Sequence, residues 1–314
     1  MAASFLIFVT RVMRLASLRR HLSIMAGADG CHLVGSHLST VALVSPPCAV
    51  GRQAMSVDCM NVKPGVEVAS LSDVGCQRDN NEDSYLYWEP AEEGEFLRKG
   101  RLAVIADGMG GYEGGLEASR LAVETVREVY DTMVRDDPRA TLLEAFATAH
   151  NRIQNHALQH PELHGMGTTC TAVVVRNRQL YFAHVGDSRL YLVCGARISR
   201  LTRDHSYVSR LVESGIVRAE DAEKHPQRHI LTGALGAGVE VAVDAVEYGT
   251  TLEDGDRLLL CTDGLWGVVS DEELEMAAGR NTPAECCATL VKLARQRGGP
   301  DNITLQLLRI LPEI

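Results

Sequence analysis

Acidic side chains stand at the ends of apolar runs or inside glycine-rich turns in several short segments of this 314-residue sequence. They are Gly75-Cys-Gln-Arg78-Asp-Asn-Asn81-Glu82-Asp83-Ser84, Ala106-Asp107-Gly108-Met109-Gly110-Gly111, Val185-Gly186-Asp187-Ser188-Arg189 and Cys261-Thr262-Asp263-Gly264-Leu265-Trp266. Gly299-Pro300-Asp301-Asn302 precedes the final apolar run. Asp107 and Asp263 each end an apolar stretch and are each followed by glycine. That arrangement fixes an anion at the rim of a core, and several such anions together are costly unless cations neutralise them. Oxygen donors without His or Cys favour Mg²⁺ or Mn²⁺ over Zn²⁺. The glycine lets a backbone carbonyl approach a metal unobstructed. Each piece also has a plainer reading: Asp-Gly is a common turn dipeptide, as Asp254-Gly255-Asp256 illustrates, and Arg78 with Glu82 can be a solvated pair. The joint pattern carries the weight.

The elements that must position these residues are short. Val66 to Leu71, Leu102 to Ile105, Thr171 to Val175, Leu180 to Val185, Leu190 to Val193, Val241 to Val246, Arg257 to Cys261 and Ile303 to Ile310 read as strands. Asn177-Arg178 and Cys194-Gly195 mark tight turns, hence antiparallel hairpins. Helical spacing covers Glu113 to Met133 and Arg139 to Leu158, the latter entered through Asp137-Pro138. His205 to Ser214 and Asp221 to His225 read as short polar helices. Ser270 with Glu273 forms a capping box, and Thr282-Pro283 opens a last helix running to about Arg297. Strands and helices are segregated, so the fold class is α+β with antiparallel sheets covered by helices.

The apolar share, 46%, is enough for a sizeable core, and one domain after about residue 60 is the simplest partition. Net charge is −10, which disfavours a general nucleic-acid role. Residues 1–57 hold five arginines and one acid, a net of +4, so the remainder carries −14. Residues 1–59 read as a leader outside the domain: a disordered segment, a mis-set start or an organellar transit peptide. No stretch reaches the roughly 20 apolar residues of a membrane-spanning helix. Nine cysteines without CxxC spacing read as reduced, buried thiols of an intracellular protein.

In order and spacing the acidic segments resemble the metal-dependent serine/threonine protein phosphatases of the type 2C class. The resemblance runs from about Gly65 to Ile310, through Arg-x-x-Asn-Glu-Asp, Asp-Gly-Met-Gly-Gly, Gly-Thr-Thr, Gly-Asp-Ser-Arg, Asp-Gly-Leu-Trp and Asp-Asn-Ile-Thr. The Asp-Gly-Met-Gly-Gly wording and Leu201-Thr-Arg-Asp-His205-Ser are similar to the bacterial branch. The resemblance implies a sandwich of two antiparallel sheets flanked by helix pairs, with two Mn²⁺ or Mg²⁺ ions between the sheet edges. It implies that Asp107 bridges both ions and the Gly108 carbonyl ligates one. Asp263 and Asp301 complete the second site, Glu82 and Asp83 hold waters of the centre, and Asp187 with Asp263 serves a looser third site. Arg78 grips the substrate phosphate. Phosphoprotein substrates, a cytoplasmic serine/threonine kinase as partner and a cytoplasmic location are implied in the same way. Many relatives carry His where this chain has Met109, so the general acid is unassigned, and His205 is one substitute. Ser206 to Arg228 falls where relatives carry a mobile flap, and reads equally as a solvated insert or as a substrate-docking segment. A silent phosphoprotein-binding module and a hydrolase of small phosphate esters are the competing readings.

Overall fold

The structure is a computed structural model that describes residues 58–59, 62–110, 113–132, 136–222, 225–238 and 241–312. The leader expectation therefore lies outside the described residues up to 57. Asp58–Cys59, the last two residues assigned to it, form a short strand β1 paired with Ser70 and Ala69.

Two antiparallel six-stranded sheets form the fold. The first runs β1, β2 (Val66–Asp73), β12 (Ile303–Ile310), β11 (Arg257–Cys261), β8 (Arg189–Cys194) and β9 (Arg197–Arg200). The second runs β10 (Asp244–Glu247), β7 (Gln179–Val185), β6 (Cys170–Arg176), β4 (Arg101–Met109) and β3 (Asp83–Trp88), with β5 (Gly167–Thr168) on the end of β4. The β6–β7 hairpin turns through Asn177 and Arg178, whose φ of 50° and 62° suit a two-residue turn matched to strand twist.

Period-2 alternation along each strand sends side chains to two different cores. On β4, Leu102, Val104 and Ala106 meet the helices α2 (Gly114–Thr132) and α3 (Pro138–Gln159), while Ala103 and Ile105 face the other sheet. On β12, Ile303, Leu305 and Leu307 meet α7 (Asp271–Arg280) and α8 (Pro283–Gln296), and Leu308 and Ile310 face inward. The layers are helix, sheet, sheet, helix, as the strand and helix segregation predicts.

The inward rows change character along the strands. At one end Val66, Val68, Phe182, Leu192, Leu258, Leu308 and Ile310 pack together. At the other end the inward positions are polar and buried: Ser70, Thr304, Gln306, Thr262, Ser188, Thr171, His184 and Asp83. Several of them pair, with Ser72 Oγ 2.6 Å from Thr304 Oγ1, Gln306 Nε2 donating to Ser70 Oγ at 3.0 Å, and Thr169 Oγ1 2.7 Å from Ser188 Oγ, while Gln306 Oε1 is left without a partner. His184 Nε2 donates to the Arg203 carbonyl at 3.1 Å, so its Nδ1 accepts from Thr171 Oγ1 at 2.9 Å. Burial pushes this imidazole down to about 4, so it is neutral.

Some elements differ from expectation. Asp83–Trp88 (β3), Glu93–Lys99 (α1) and Arg197–Arg200 (β9) were not foreseen. The strand expected over Val241 to Val246 is only Asp244–Glu247, because Val241 and Val243 turn toward the α3 side and pack on the helix-facing core. The first short polar helix is α4 (Tyr207–Glu213); in place of the one expected over Asp221 to His225, of which 223–224 lie outside the described residues, α5 covers Ala219–Ala222. Among the described residues Cys76, Cys170, Cys194, Cys261, Cys286 and Cys287 form no disulfide.

Candidate metal centre

A cleft of about 680 Å³ opens at the polar end of the layer between the sheets. Glu82, Asp107, Asp187, Asp263 and Asp301 line it together with Arg78 and Gly108. Each acid arrives on a different element. Glu82 immediately precedes β3, Asp107 lies near the end of β4, and Asp187 sits in the turn from β7 to β8. Asp263 begins the single-turn helix α6 (Asp263–Trp266), and Asp301 lies between α8 and β12. Asp83 pairs across the β3–β4 ladder with Asp107, one layer beneath the cleft.

Local bonds explain why these segments hold their places. The Asp107 amide donates to Thr169 Oγ1 at 2.9 Å, and its carbonyl accepts from the Thr169 amide at 2.9 Å and Thr168 Oγ1 at 2.8 Å. Asn302 stitches the Arg78 loop to the base of β12: its Oδ1 accepts from the Glu82 amide at 2.8 Å. Its Nδ2 donates to the carbonyls of Val74 and Asn80 at 3.0 and 2.9 Å. Trp266 Nε1 donates to the Asp187 carbonyl at 2.9 Å. The Trp266 ring lies 3.5 Å beneath the Arg189 guanidinium, which holds Asp204 through Nε at 3.1 Å and Nη2 at 2.8 Å. Close approach requires glycine at two positions. A Cβ on Gly108 would overlap the Gly115 carbonyl, and one on Gly264 would overlap the Asn302 carbonyl.

The electrostatics favour a cation. Burial, followed by the charge of Asp83 and its neighbours, holds the Asp107 carboxyl well above its ordinary range. Burial, then the charge of Asp263, does the same to Asp187. Asp83 is pushed up to about 7 by burial, against hydrogen bonds from Thr304 and Thr262 that pull it down. Asp263 Oδ1 and Asp83 Oδ1 are buried and have no hydrogen-bond partner, a costly state for a carboxylate unless a positive charge meets it. Among the described residues no three His, Cys, Asp or Glu side chains converge to enclose one ion. The donors instead suit hard cations that take one or two carboxylates and complete their shell with carbonyl oxygens and water, as Mg²⁺ does.

Arg78 points its Nη2 at Asp301 Oδ2, 2.7 Å away, and Asp301 Oδ1 accepts from the Asn302 amide at 2.9 Å. His205 is not among the cleft residues; its Nε2 lies 3.1 Å from Asp244 Oδ2 in a neighbouring cavity. Arg228, the end of the expected flap segment, lines the cleft, and so do His229 and Leu231, which sequence reasoning missed. His229 Nδ1 stands 3.8 Å from Asp263 Oδ2, on a side chain 60% exposed. The only sequence signal for it was its place immediately after the flap segment.

Residues 78–287 match the family described as protein phosphatase 2C, and the chain belongs to that family. Among its relatives is the protein phosphatase PhpP of Streptococcus pneumoniae, 37% identical over 256 residues, spanning 79% of this chain and 99% of PhpP. The serine/threonine protein phosphatase PstP of Mycobacterium tuberculosis is 37% identical over 238 residues, 76% of this chain, but this chain spans only 43% of PstP. A solved structure of the catalytic domain of a PstP in complex with two manganese ions is 34% identical, with a TM-score of 0.66 over 79% of this chain and 99% of that one. These two-sheet folds are alike, and the α+β architecture is that of this family.

Proposed function

We propose that this chain hydrolyses phosphoserine and phosphothreonine in proteins, with water as nucleophile and two Mn²⁺ or Mg²⁺ ions in the cleft. The observation that carries the reading is the convergence of five carboxylates from five separate elements on one cleft, with Asp263 Oδ1 buried and unpaired. The manganese-bound PstP structure supports the choice of metal. Asp107 would serve both ions, the Gly108 carbonyl would ligate one, Asp263 and Asp301 would complete the second, and Glu82 would act through water. Asp187 with Asp263 would serve a third. When bound, such ions neutralise the carboxylates, acidify water and stabilise charge on the phosphoryl oxygens.

The remaining work falls to the chain itself. Arg78 offers a planar fork that can leave Asp301 and grip two oxygens of the substrate phosphate, which a lysine could not match. Asp83, fixed by Thr262 Oγ1 at 3.0 Å, supports the site from below and orders water there. Met109 has no proton to give the leaving alkoxide, so that proton has to come from water or from a group at the rim. By family resemblance the substrates are a cytoplasmic serine/threonine kinase and its targets, and the enzyme acts in signalling.

The test is hydrolysis of a phosphothreonine peptide by the full chain with Mn²⁺, with Mg²⁺ and with excess chelator. Turnover that requires a cation is the expected result. Turnover undiminished by chelator would overturn the metal centre, and no turnover from folded protein would leave a phosphoprotein-binding module.

A further inference from the structure

A second cavity of about 370 Å³ adjoins the catalytic cleft, and Met109 and Leu231 line both. A peptide whose phosphorylated residue sits in the cleft would carry a neighbouring side chain across Leu231 into this cavity. The charges there are unequal in a telling way. Every carboxylate that lines it already has a side-chain partner. Asp204 is held by Arg189 at 2.8 Å and by Arg200 at 3.3 Å, Glu213 by Arg203 at 2.9 Å, and Asp244 by His205 at 3.1 Å. Among the described residues the lining cation left over is Arg210. It is exposed on α4, its backbone amide and carbonyl bond to Ser206 and Ser214, and its guanidinium has no partner among the described residues. Asp204 in addition draws two guanidinium groups for one negative charge.

We propose that this cavity is a subsite for an anionic side chain of the phosphoprotein segment held in the cleft, with Arg210 as its specificity-determining residue. The inference rests on the phosphatase reading above. A carboxylate or a second phosphate supplies the same chemistry, since either accepts two parallel hydrogen bonds from the guanidinium fork.

The experiment uses the full chain with Mn²⁺ and a set of phosphothreonine peptides that carry alanine, glutamate, lysine or a second phosphothreonine at each flanking position in turn. At one or two positions glutamate or phosphothreonine should raise kcat/KM over alanine by about fivefold, the scale of an exposed ion pair, and added salt should shrink the gain. A larger gain from phosphothreonine than from glutamate identifies a second phosphate as the ligand, and equal gains identify a carboxylate. In Arg210→Ala the anionic peptides should fall to the level of the alanine peptide measured with the same variant. In Arg210→Glu the preference should invert toward lysine, an outcome that loss of folding cannot mimic. Turnover with no flanking preference, or a preference that survives in Arg210→Glu, would overturn the subsite while leaving the phosphatase reading intact. No turnover of any peptide would sink both.

Discussion

The two ends of the layer between the sheets are built from the same strands and do opposite things. β12 presents Leu308 and Ile310 to one end and Thr304 and Gln306 to the other; β11 presents Leu258 to the first and is followed by Thr262 at the second, and β7 presents Phe182 against His184. The ladders place these contrasts in rows, with Leu258 opposite Leu308 and Val68 opposite Leu308 in turn, then Ser70 opposite Gln306. The apolar end gains stability from burial alone. The polar end has to satisfy each hydroxyl and amide individually, and it still carries buried carboxylate oxygens that nothing satisfies. One end therefore holds the sheets together, and the other holds a charge arrangement that the fold tolerates because the first end supports it.

Three measurements break or sharpen that contrast. Asp263→Asn removes the charge of the carboxylate whose Oδ1 is buried without a partner. It should lower kcat/KM toward a phosphothreonine peptide by at least ~10³, the several kcal/mol a metal site supplies. Its melting temperature in chelator should hold or rise, since the charges on Asp83, Asp107 and Asp187 lose a repelling neighbour. Near-normal turnover would remove Asp263 from the metal centre. Phe182→Ala strikes the opposite end, where the ring is 3% exposed. Chemical denaturation should show a loss of about 3–5 kcal/mol, with turnover per folded molecule within about twofold of wild type. A large loss of turnover at full folding would mean that the ends are not independent.

The smallest effect concerns pH. Asp83 titrates near 7 in the fold and near about 4 in an unfolded chain. Between those values the folded protein keeps a proton that the unfolded chain has released. Without cation, this group's contribution to stability therefore falls as pH rises from about 4 to 7 and levels off above. A bound cation compensates the negative charge, so the rise in melting temperature on adding Mn²⁺ should grow across that interval. A rise equal at pH 5 and pH 8 would show that the buried acids do not couple to the metal.

Much of this was legible in the sequence because apolar runs ending in Asp-Gly announce both a strand and the residue it delivers, as at Leu102 to Asp107 and Leu258 to Asp263. The β6–β7 turn and the capping boxes at Ser270 and Thr282 are equally local signals, and both boxes are present. β3 was missed because it opens on Asp83-Ser84 and continues in aromatic residues that alternate weakly. β9 is a four-residue strand with two arginines, held on β8 by pairing rather than by burial. The stitching by Asn302, the depth of Asp83 and the arrival of His229 at Asp263 depend on contacts between segments far apart in the chain. No local pattern encodes those.

β12 also acts as a gauge. It pairs with β2 along eight consecutive positions, from Ile303 opposite Asp73 to Ile310 opposite Val66, and Asn302 and Asp301 sit directly at its head. Inserting one residue in it would exchange its faces, sending Ile303 and Leu305 between the sheets and Thr304 and Gln306 under the helices. Inserting two would restore the faces yet carry Asp301 about 7 Å out of the cleft, at roughly 3.3 Å per residue. The number of residues in this one strand is thus fixed twice over, once by the odd–even count that the cores demand and once by the reach that the carboxylate demands.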